Sequence, residues 1–136
     1  MRSAATRGTE RWAGICAGGY FACAAAYLGN ILALAAARQS EAVPALIMSG
    51  LPIVCTAMGL IVLRGPKWAP RWAVVVAAGF GAMHLTGLAC LLLLPESPEP
   101  LTRSLQWQLA AGLFFVWALV LAAALRLARE SERKVV

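Results

Sequence analysis

The few charged positions of this chain divide it into four long apolar stretches. Residues 12–37, 42–63, 72–95 and 105–125 contain no Asp, Glu, Lys or Arg. Each is long enough to form a helix crossing ~30 Å of hydrocarbon, which takes about 20 residues. Between them lie short polar segments. Residues 1–11 are polar and basic, and Arg38-Gln39-Ser40-Glu41 is a tight connection. Residues 64–71 (RGPKWAPR) are set as a loop by two prolines and a glycine, and 96–103 (ESPEPLTR) form a proline-rich outer turn. Residues 126–136 extend the last stretch as a fraying helix, with Arg126/Glu130 and Glu130/Lys134 at i,i+4 spacing. The pattern predicts an all-α integral membrane protein, a four-transmembrane-helix bundle forming one domain over 1–136. The first stretch has the basic start and Ala-rich end of a secretory signal. Its length and its Tyr20, Tyr27 and Asn30 predict that it stays uncleaved.

Composition supports lipid as the solvent. The chain is 61% hydrophobic and 13% charged, against about 25% charged in soluble domains. With four spans, both termini fall on one side. Arg2, Arg7, Arg11, Arg64, Lys67, Arg71, Arg126, Arg129, Arg133 and Lys134 share that side, and only Arg38 and Arg103 lie on the other. This bias in short loops places both termini in the cytoplasm, in a bacterial-type inner membrane. Trp12, Trp68 and Trp72 then lie at the inner interface and Trp107 at the outer one. Trp117 falls near mid-span, where packing against a neighbouring helix is expected. The net charge of +6 is spread over three juxtamembrane pieces that meet anionic lipid. There is no basic face with interleaved aromatics for nucleic acid.

The two halves echo one another. A shift of 60 positions places Arg71-Trp72-Ala73 on Arg11-Trp12-Ala13, and Ala77, Gly79, Ala82 and Leu88 on Ala17, Gly19, Ala22 and Leu28. A shift of 62 places Gly112-Leu113, Val116 and Leu125-Arg126 on Gly50-Leu51, Val54 and Leu63-Arg64. This predicts two tandem helical hairpins, 11–64 and 71–126, as a parallel repeat. In the first span Gly14, Gly18, Ala22, Ala26 and Asn30 recur at every fourth position. Such a stripe lets two helix backbones approach closely, within the bundle or across a homodimer, and Asn30 adds an interhelical hydrogen bond. In the second span Pro44 suits a first helical turn. Pro52 has no N–H for the Met48 carbonyl and predicts a kink.

The candidate chemistry is sparse. Proton-coupled transport through a small bundle needs an intramembrane carboxylate or another titrating group. Small multidrug transporters share this size and layout, but they depend on a glutamate in the first helix, which is absent here; the resemblance is one of size. Cys16, Cys23, Cys55 and Cys90 form no close pair and are expected to pack as small hydrophobes. The only histidine, His84, has three readings. It can hydrogen-bond a carbonyl such as that of Met48. It can ligate a haem or pigment. With Cys23 and Cys55 at similar depth, and Met58 and Met83 nearby, it can form a soft site for Cu(I) or zinc. The spans hold no general acid and base pair, and Glu96 and Glu99 sit in a solvated turn. Thr56, Thr86, Tyr20 and Tyr27 are expected to bond backbone or one another.

No enzyme activity and no cofactor are therefore expected. The leading expectation is a small non-catalytic subunit, either a homo-oligomer or the companion of a larger membrane protein. The alternatives are a transporter or pore for a small solute, and a cofactor-binding subunit using His84.

Overall fold

In the computed structural model the described backbone comprises residues 4–36, 42–93 and 100–133, with side chains described for 8–32, 50–90, 92–93, 107–108 and 110–133. Four helices account for nearly all of it: α1 (Ala4–Ala36), α2 (Ala42–Arg64), α3 (Ala69–Leu93) and α4 (Pro100–Glu132). Three of them are long and apolar enough to cross a membrane, over Gly8–Leu32, Ala69–Cys90 and Ala110–Glu132; the described apolar part of α2 is Gly50–Arg64. The connection at 38–41 lies outside the described residues, as do Glu96, Glu99 and Lys134 and the side chains of Pro44, Met48 and Arg103.

The helices are longer than the apolar stretches at the basic end. α1 begins within the polar residues before Trp12, and α4 runs on through Arg126 and Arg129 to Glu132. These extensions support each other. Gly8 lies so close to Glu130 that an added Cβ would stand 3.0 Å from its Oε2. The 64–71 segment is the expected loop, but a short one. α2 closes at Gly65, whose φ of +70° suits glycine. The Gly65 N–H reaches back to the Ile61 carbonyl at 3.2 Å, and Ala69 N–H bonds the Pro66 carbonyl at 2.9 Å as α3 starts.

The packing is lopsided. α1 lies against both α2 and α4, and α3 against α4, whereas α2 and α3 scarcely touch although the loop joins them. All four helices meet at the basic end. A groove of about 760 Å³ there is lined by Thr9 of α1, Val62 of α2, Arg71 of α3 and Ser131 of α4. Across it an exposed Arg71 guanidinium lies 3.5 Å from Glu132.

Side-chain size runs opposite to that of a water-soluble bundle. The interior is built mainly from small and aromatic residues, Cys16, Ala17, Tyr20, Cys23, Ala24 and Tyr27 of α1, Cys55 of α2, Ala73 and Ala77 of α3, Trp117, Ala123 and Ala124 of α4, with Met58, Val62, Val120 and Leu127 among them. Leu32, Ile53, Val75, Leu85, Phe115 and Leu119 face outward. No charged side chain is buried among the described residues.

Candidate functional site

The polar atoms of the interior gather at one place. Tyr20 and Tyr27 stand two turns apart on the inward face of α1, Phe80 and His84 one turn apart on α3, and Trp117 on α4 faces them. Trp117 is fully buried. Its ring stacks on Phe80 at 4.7 Å and 8°, and meets Tyr20 edge-on at 5.5 Å and 74°. Tyr27 and His84 form a second near-parallel pair at 5.9 Å and 13°. The expectation that Trp117 packs against neighbouring helices is met.

The hydrogen bonds run in series. The Trp117 indole N–H donates to the Tyr27 hydroxyl oxygen at 2.9 Å. That hydroxyl lies 2.5 Å from His84 Nε2. An indole can only donate, so the Tyr27 oxygen is the acceptor there, and its single proton is left for His84. Among the described residues His84 Nε2 is the acceptor within reach of that proton, and with Tyr27 donating to it the neutral ring carries its own proton on Nδ1. Two turns lower, Tyr20 donates to the Ala73 carbonyl at 2.6 Å, spanning the diagonal from α1 to α3. The two threonines turn back on their own helices, Thr56 to the Pro52 carbonyl at 2.7 Å and Thr86 to the Ala82 carbonyl at 2.9 Å. α2 continues as one helix through Pro52.

Other predicted residues are placed differently. His84 bonds Tyr27, and the reading that pairs it with Met48 falls outside the described side chains. Cys23 and Cys55 are buried free thiols, and no three His, Cys, Asp or Glu side chains among the described residues gather as a metal-holding group. The set of Cys23, Cys55 and His84 is thus not brought together as a ligand sphere. The stripe of Gly14, Gly18, Ala22 and Ala26 lies on the outward face of α1, away from the bundle. A Cβ built on Gly14 or Gly18 meets nothing within 4 Å. The glycines that do pack internally are Gly19, against Val120, and Gly59, against Phe21. Asn30 is half-buried, and no interhelical bond from it is formed among the described residues.

Tyr27 and Trp117 were not predicted as partners of His84. Comparison by depth paired His84 with Cys23, eleven residues past Trp12 as His84 is twelve past Trp72. A helical side chain leans back toward its N-terminus, and tyrosine is longer than histidine. A tyrosine a few residues further along was the better geometric match. No protein-family model, curated protein or solved structure matches the chain.

Proposed function

We propose that the chain is a non-catalytic integral membrane subunit that packs against a second copy of itself through the outward face of α1. All four helices span, with both termini on the cytoplasmic side of a bacterial-type inner membrane. The reversed size pattern supports a lipid surround: leucine, valine and phenylalanine face out, while hydroxyl, indole and imidazole groups face in. The convergence of Arg64, Lys67, Arg71, Arg126 and Arg129 near one end of the bundle supports the orientation.

The observation that carries the subunit reading is the uncovered small-residue face. In lipid, helices associate through close backbone packing rather than through the hydrophobic effect, and small residues at four-residue spacing permit that approach. The bundle leaves this face of α1 open, whereas Phe115 and Leu119 on α4 present the bulky surface typical of lipid contact. The hairpin echo at 11–64 and 71–126 supports a duplication. Because α1 packs on α4 far more than α2 on α3, the two-fold relation belongs to the hairpins and not to the whole bundle.

The test is the oligomeric state in lipid nanodiscs or by native mass spectrometry. Gly14→Leu with Gly18→Leu should convert a dimer to a monomer while helical content stays unchanged. A dimer that persists in the double variant refutes this interface. A stoichiometric second protein in place of a second copy would reassign the face to a larger partner.

A further inference from the structure

We propose that His84 Nδ1–H is the hydrogen-bond donor of a site for a planar, hydrocarbon-dissolved carbonyl compound of the quinone class. The inference rests on the membrane placement above and is independent of self-association.

The donor follows from the hydrogen-bond series. Trp117 fixes the Tyr27 oxygen as an acceptor, Tyr27 gives its proton to His84 Nε2, and the ring's own proton lies on Nδ1. That nitrogen has no partner among the described residues. It is not enclosed either, since no buried side-chain nitrogen or oxygen lacks a partner and His84 is half-buried. An N–H donor thus reaches the protein surface next to an aromatic cluster.

Depth selects the partner. His84 is twelve residues beyond Trp72 on a continuous helix, about 18 Å along the axis at 1.5 Å per residue. That places it well inside a hydrocarbon core of ~30 Å. An unpaired donor there is costly. Lipid ester carbonyls lie at the interface, a turn or more away. A lone water needs two or more polar partners, and the residues one turn from His84 on α3, Phe80, Gly81, Gly87 and Leu88, carry no polar side-chain atom. What remains is an acceptor that itself dissolves in hydrocarbon. The same network disfavours a metal or haem iron at Nδ1, because the lone pair a metal requires is replaced by a proton.

Shape selects within that class. The Tyr27–His84 and Phe80–Trp117 ring pairs are each nearly parallel. Trp117 and Tyr27 are buried, so Phe80 and His84 are the rings a flat conjugated molecule can meet, lying against the Phe80 face while its carbonyl accepts from Nδ1 at the imidazole edge. The slight contact between α2 and α3 leaves a side of the bundle open to the bilayer, so a lipid-soluble molecule can enter laterally.

Because the chain has one histidine, ¹⁵N-histidine labelling reports on His84 alone. The full chain in phosphatidylcholine/phosphatidylglycerol nanodiscs should show the Nδ1-protonated tautomer, with an Nδ1 resonance that shifts saturably on titration with decylubiquinone. Saturable quenching of tryptophan fluorescence should accompany it. His84→Leu should weaken that quenching about ten-fold, the loss of one good hydrogen bond, and His84→Gln, which keeps an N–H donor, should recover part of it. An Nε2-protonated ring, or a shift that rises linearly without saturation as simple partitioning would give, overturns the ligand assignment on the wild-type chain alone. Equal quenching in His84→Leu does the same. A chain that does not enter the nanodisc overturns the placement and the inference with it.

Discussion

Trp117 and Tyr27, ninety positions apart in the chain, are joined by a 2.9 Å hydrogen bond inside the bundle. The bond links α4 to α1, and through the Tyr27 hydroxyl it extends to His84 on α3. One hydroxyl thus ties together three helices. Removing it leaves the Trp117 N–H buried without a partner and frees His84 Nε2. Side-chain hydrogen bonds between helices in membranes average about 0.6 kcal/mol and reach about 1.7, and a stranded buried donor adds to the loss. Tyr27→Phe should therefore destabilise the bundle by about 1–2 kcal/mol in reversible unfolding by dodecyl sulfate. Unchanged stability would refute the series.

Adjacent glycines separate folding from assembly. Gly19 faces α4, and a Cβ there would stand 2.5 Å from Val120 Cγ2. Valine is stiff at χ1 and cannot easily turn away. Gly18 faces outward with nothing within 4 Å. Gly19→Ala should cost about 1–3 kcal/mol, the usual range for overpacking, while Gly18→Ala should leave the stability of the isolated chain within about 0.5 kcal/mol. The dodecyl sulfate midpoint of each variant, measured on monomer, checks the pair. Equal losses would mean that the face of α1 is wrongly assigned.

The helices were legible because charge punctuates the chain so sparingly: each described helix covers most or all of one of the four uncharged runs. Their ends were less legible. Residues 126–132 continue α4 as the Arg126/Glu130 spacing predicts, but polar residues 4–11 give no apolar signal, and α1 starts there with Gly8 beside Glu130. The candidate site was half legible. His84 stands out as the one imidazole, but its partners depend on which faces of α1 and α4 turn inward. In a chain apolar on all sides, periodicity carries little of that information. The stripe of Gly14 and Gly18 shows the same limit. Its spacing is plain in the sequence, and only the packing places it outside.

The cysteines offer a test of the packing and of the orientation together. Cys16, Cys23 and Cys55 are fully buried, and Cys90 is exposed. In mild detergent, N-ethylmaleimide should add a single label at Cys90, and further labels only after denaturation, as read by intact mass. Cys90 lies eighteen residues beyond Trp72 on α3, about 27 Å along the axis, close to the far surface of a ~30 Å core. In the orientation proposed above, that surface faces the outside. A membrane-impermeant maleimide added to right-side-out vesicles should therefore label Cys90 to a much greater extent than in inverted vesicles. Cys90→Ser should remove this signal entirely. The opposite sidedness would reverse the orientation without touching the bundle. Rapid labelling of Cys23 or Cys55 in the intact protein would instead contradict the core built around Tyr20 and Trp117.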